Sequence, residues 1–81
     1  MDLYEFNINL FDNRAQIVWD QGTFLAFRTE EEHKINLYHL GKFFAEVWYE
    51  GEGNRIVYIR GFKSLWCLEP YLELVDLGNI D

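Results

Sequence analysis

Two histidines, one cysteine and a scatter of carboxylates are the side chains of this 81-residue chain that could do catalysis or hold a metal. His33 and His39 are six apart, and even spacing on a strand puts both on one side. With Glu31 or Glu32 nearby a metal site can be drawn, but the ligand count falls short of a closed one. A solvated turn histidine and a strand-end histidine are expected instead, with no metal. Cys67 sits beside Trp66 and Leu68. A nucleophilic cysteine needs an activating histidine and an oxyanion hole. His39 would reach Cys67 only by accident of the fold, so a small buried hydrophobe is expected.

Glu46 lies between Ala45 and Val47 in an aromatic-rich stretch. Paired with Glu69 or Glu5 it would resemble the two carboxylates of a glycosidase. A chain of this size is too small to build a substrate cleft around such a pair. An ion pair with Arg28 or Arg60 on neighbouring strands is the expected state of Glu46. The run Glu50-Gly51-Glu52-Gly53-Asn54 offers oxygens and glycines. It lacks the alternating acids and distal Glu of a calcium loop and the Lys of a phosphate loop, and reads as a hairpin connection. No catalytic motif emerges, so neither an enzyme nor a cofactor is expected.

Composition narrows the partners. Fourteen acids against seven bases give a net charge of -7, densest at Glu30-Glu31-Glu32 and at Glu46, Glu50 and Glu52. Such a surface repels phosphate backbones, which argues against nucleic acid. Aromatic residues make up 19% of the chain, enough to raise the question of where they are all buried. One cysteine excludes a disulfide framework within the chain. The start Met1-Asp2-Leu3-Tyr4-Glu5 has no basic or apolar leader pattern, and no apolar run approaches the roughly 20 residues of a membrane span. A single domain over 1–81 in the cytoplasm, away from membranes, is expected.

The elements that must position these residues read mainly as strands. Tyr4, Phe6, Ile8 and Leu10 alternate with polar residues, and Ala15, Ile17 and Trp19 alternate with Gln16, Val18 and Asp20. This is the period of a half-buried strand. Further strands are expected over residues 23–28, 34–39, 43–50 and 55–62, rich in β-branched and aromatic residues. Residues 39–42 form a hairpin turn at Gly41, a bulge in one long strand, or a short helix through Leu37, Leu40 and Phe44. After Ser64, a helix cap, the residues Leu65, Leu68, Leu72 and Val75 make one apolar helical stripe, kinked or restarted at Pro70 and stopped at Gly78. The expected fold is α+β and mainly β. It is an antiparallel meander of five or six strands, open or curled into a partly closed barrel, with one C-terminal helix packed on one face.

With the helix on one face, above Phe6, Trp19, Phe27 and Tyr49, the other face would carry Phe24, Arg28, Tyr38, Phe44, Glu46, Trp48, Tyr58 and Arg60. That face is either ordinary cross-strand packing and barrel corners or a binding patch. Trp, Tyr and Arg are enriched at binding hot spots, which makes Arg28, Tyr38, Phe44 and Trp48 the candidate interaction residues. The stretches Arg14 to Leu25, Asn36-Leu37-Tyr38, Phe43 to Val47, Asn54-Arg55-Ile56 and Cys67 to Leu72 resemble a family of short, uncharacterised bacterial proteins, over about residues 14–75. That resemblance implies a stand-alone bacterial domain of unknown function and assigns no residue a role. The functional expectation is a non-catalytic interaction module whose partner is a protein, itself in a homodimer or another. The alternative is a small acidic inhibitor of the immunity or antitoxin kind, or a nucleic-acid mimic.

Overall fold

A computed structural model describes residues 1–50 and 55–72. The chain begins with two helices, α1 (Leu3–Asn7) and α2 (Phe11–Gln21). Four strands follow, β1 (Thr23–Glu30), β2 (His33–His39), β3 (Phe44–Glu50) and β4 (Ile56–Phe62), and then a 3-10 helix over Leu65–Tyr71. The strands form an antiparallel meander in the order β1-β2-β3-β4. The first and last of these strands do not pair, so among the described residues the sheet is open and not a barrel.

Both expected N-terminal strands are helices, and their sequence contains the reason. The Asp2 carboxylate accepts the Glu5 backbone N–H at 2.9 Å, and the Glu5 carboxylate accepts the Asp2 N–H at 3.3 Å. This reciprocal capping box satisfies two donors that the first helical turn would otherwise orphan. The alternation from Tyr4 to Leu10 is then coincidental: Phe6 alone turns inward, while Tyr4, Ile8 and Leu10 face solvent. In α2, Asp12 lies in the favourable first turn, the Gln16 amide donates to Asp20 one turn on at 3.0 Å, and Val18 is buried with Ala15 and Ile17 packed beside it.

The sheet is the middle layer of three. On one side, α1 and α2 cover a core of Phe6, Val18, Leu40, Phe43, Ala45, Val47 and Ile59. On the other, the 3-10 helix covers a smaller core of Ala26, Leu37, Phe62 and Tyr71. The expected single covering helix at the C-terminus is therefore replaced by N-terminal helices on one face and a short 3-10 segment on the opposite one. Ser64 caps that segment by accepting the Trp66 N–H at 3.3 Å. Pro70, which has no N–H to donate, lies inside it. A period near three then aligns Leu68 with the buried Tyr71, while Leu65 and Leu72 of the expected stripe are exposed. Val75 and Gly78 lie outside the described residues, as do 51–54 of the expected β3–β4 connection.

Residues 40–43 form the hairpin turn. Leu40 N–H donates to the Phe43 carbonyl at 2.8 Å, and Gly41 takes a φ of +76°, which suits glycine. Gly61 solves a different problem. A Cβ there would stand 2.8 Å from Leu3 Cδ1 and 2.8 Å from Phe6 Cδ2, so α1 rests directly on the bare backbone of β4. Gly61→Val is expected to wedge α1 away and cost about 1–3 kcal/mol, with Gly61→Ala intermediate, in urea unfolding. Unchanged stability in both variants would mean that α1 does not dock there.

Candidate functional site

The described polar side chains converge most closely around Glu46, at the middle of β3, whose side chain is 0% exposed. Register places Arg60 of β4 directly opposite it, and places Leu37 opposite on the β2 side. Arg28 comes from β1, one row along, where the pairing runs Arg28, Ile35, Trp48 across three strands. Trp48 is two residues beyond Glu46 and so shares its face. Tyr71 descends from the 3-10 helix. Four different elements thus aim polar atoms at one carboxylate.

The geometry leaves neither oxygen free. Oε1 accepts from Arg60, at 2.8 Å from Nη2 and 3.1 Å from Nε, and from the Trp48 indole N–H at 3.4 Å. Oε2 accepts from the Tyr71 hydroxyl at 2.5 Å and from Arg28 Nη2 at 3.4 Å. Arg28 also donates to Glu30 at 2.7 Å, and its guanidinium lies between the rings of Trp48 and Tyr71, 5.5 and 5.3 Å from their centroids. A carboxylate removed from water is tolerable only when paired and fully hydrogen-bonded, and this one is. Both ion-pair partners expected for Glu46 are present together.

Titration follows from the same packing. Burial pushes the Tyr71 phenol well above its ordinary range, and the adjoining Glu46 carboxylate adds to the effect, against an opposing pull from Arg28. Burial by itself would lower the Arg28 guanidinium, but its bonds to Glu30 and Tyr71 and the charge of Glu46 outweigh that and raise it.

The other expected candidates fall as follows. Arg28, Phe44 and Trp48 share the face of the 3-10 helix, where Phe44 stacks on Phe62 with ring centroids 5.6 Å apart. Tyr38 is on the opposite face, opposite Ala45, between the rings of Trp19 and Phe24 at 5.8 Å each. Phe24 joins Tyr38 there because the β1–β2 register shifts between Phe24 and Ala26. His33 and His39 do share one face, at opposite ends of β2, and so stand about 20 Å apart. Their rings lie against Trp48 and Phe44. Cys67 is partly buried beside the Tyr71 cluster. Glu5 is occupied in the α1 cap, and Glu69 is exposed. Among the described residues no three His, Cys, Asp or Glu side chains gather as a metal centre would require, and no helix is long and apolar enough to cross a membrane.

Two features escaped the sequence reading. Tyr71 lay off the expected helical stripe, and only the loss of α-helical bonding at Pro70 signals its inward turn. The second is an exposed apolar ledge. Phe24, Leu25 and Phe27 on β1 are 52%, 44% and 54% exposed, with Trp19 of α2 at 45%. A shallow groove runs beside them, lined by residues 24–29 and Pro70. No protein-family model, curated protein or solved structure significantly matches the chain.

Replacing Glu46 by Ala would leave Arg28, whose side chain is only 14% exposed, with a missing buried partner. The expected cost is about 3–5 kcal/mol in urea unfolding. Alkali gives a second test. The folded Tyr71 keeps its proton past the pH, about 10, at which an unfolded tyrosine loses it. The stability this contributes is complete below about pH 10 and is lost as pH rises through the folded value. Wild type should therefore lose stability more steeply above pH 10 than Tyr71→Phe. Parallel curves would show that the phenol is not held in this way.

Proposed function

We propose that this chain is a non-catalytic protein-interaction module that associates with itself. One observation carries the reading: the aromatic ledge of Trp19, Phe24 and Phe27 is about half exposed on a domain whose buried carboxylate is met on both oxygens from within. Both Glu46 oxygens are engaged, so that carboxylate has no free lone pair aimed at a substrate. Large apolar side chains lying side by side at a surface are, by contrast, the usual substance of an interface core. A cytoplasmic protein of bacterial type belongs to the same proposal.

The acidic-inhibitor reading has its own support. Glu30, Glu31 and Glu32 are all exposed at the β1–β2 turn, and Glu31 is held there at a φ of 56°. A basic partner bound there would dissociate as salt is raised.

Light scattering from about 1 to 100 μM, close to the range where weak dimers form, tests the main reading. A mass approaching twice that of the chain, insensitive to moderate salt, is the expected result. A strict monomer that also retains no protein in affinity capture would refute it.

A further inference from the structure

We infer that the free edge of the sheet at β1 pairs antiparallel with the β1 edge of a second copy, joining two domains into one continuous eight-stranded sheet. The inference rests on the self-association reading above and names its surface.

The edge itself is the first observation. β1 ends the strand order, so among the described residues no strand pairs with its outer backbone groups. Exposed edges are normally guarded by Pro, charged side chains or bulges. β1 contains neither Pro nor Lys, and its two charges, Arg28 and Glu30, are paired with each other on the 3-10 side of the strand. Its one bulge falls at Leu25, near the start, and residues from Ala26 to Glu30 run in unbroken register with β2. A regular stretch of five residues remains available as a template.

The second observation is how the bulge arranges the side chains. Phe24 and Phe27 are three apart and would alternate on a regular strand. With the extra residue at Leu25 they fall on one side, opposite Tyr38 and Asn36 in register. They make a ledge on the helical side of the edge, continued by Trp19 through Tyr38.

A second copy is the occupant that fits. A two-fold axis normal to the sheet keeps the helical layers of both copies on the same side. The ledges then meet as cross-strand aromatic neighbours, each burying the other. Phe24, Leu25 and Phe27, each about half exposed, supply roughly 300 Å² per copy. With the paired backbones and the flanking Trp19 and Pro70 the total comes to on the order of 1,000 Å², the lower bound for a specific interface. Charge agrees with the antiparallel sense. The three glutamates sit at the C-terminal end of β1, so two antiparallel strands carry them to opposite ends of the joint, roughly 13 Å or more apart and beyond the screening length of about 8 Å. Parallel pairing would bring the six carboxylates together. Pairing of β1 with the β4 edge of another copy would not close and would propagate into a filament.

Sedimentation of the full chain with Phe24→Lys, Phe27→Lys and the control Tyr4→Lys tests this, together with amide hydrogen exchange at low and high concentration. All three side chains are at least half in solvent, and unchanged urea midpoints would verify that the variants fold. The expected result is a wild-type dimer weakened at least tenfold by either β1 substitution and not by Tyr4→Lys. Amides between Ala26 and Glu30 should gain protection as concentration rises. A dimer that keeps its affinity in both β1 variants, or that protects a different segment, would overturn the edge pairing and leave self-association standing. A monomer at every concentration would overturn both the pairing and the self-association.

Discussion

A carboxylate buried at the centre of an 81-residue domain constrains everything packed around it. Glu46 has no water to solvate it, so its lone pairs must be met by protein donors or the fold pays several kcal/mol. The donors come from β1, β3, β4 and the 3-10 helix, which makes the carboxylate the tie between elements far apart in sequence. β2 is held between them by its own ladders and by the apolar Ile35 and Leu37. Arg60 is more than a third exposed, so water screens its share. Tyr71, buried and at 2.5 Å, makes the closest contact, and Arg28, shielded but at 3.4 Å, adds a longer one.

This arrangement explains how so short a chain covers both faces of a sheet. The helices bury the apolar side in the usual way. The opposite side mixes aromatics with charges, and a 3-10 helix of seven residues is too small to bury it by area alone. Tyr71 solves that problem chemically. Its ring fills the small core with Leu37 and Phe62, and its hydroxyl supplies the donor that Oε2 of Glu46 requires. Arg28 then covers the gap between Trp48 and Tyr71 as a flat cation between two rings. Several apolar side chains stay in solvent, Trp66 and Tyr58 among them, and the ledge along β1 is the part on which the functional reading rests.

Much of the sheet was legible in the sequence, and so was the state of Glu46, because few cations could reach a carboxylate in that strand. Alternation placed the residues of β2 and β3 on the correct sides of their own strands. It could not say which side of β2 matched which side of β3. That parity is set by the turn, where His39 pairs with Phe44, and it moves Tyr38 to the helical face. The bulge at Leu25 leaves no mark in the pattern and moves Phe24 the same way. The N-terminus misled for another reason. Apolar residues at every second position from Tyr4 read as a strand, whereas the short capping pattern of Asp2 and Glu5 determines the local structure. At the C-terminus a period of 3.6 selected Leu72, where the 3-10 geometry around Pro70 selects Tyr71.

The central claim is that Glu46 and Tyr71 hold the C-terminal segment to the sheet through each other. A double-mutant cycle of Glu46→Gln and Tyr71→Phe, followed by urea unfolding at neutral pH, measures that coupling directly. The structure predicts an interaction of about 1 kcal/mol or more, because the hydroxyl donates at 2.5 Å to a buried charged oxygen. Losses that add to within about 0.3 kcal/mol would contradict it.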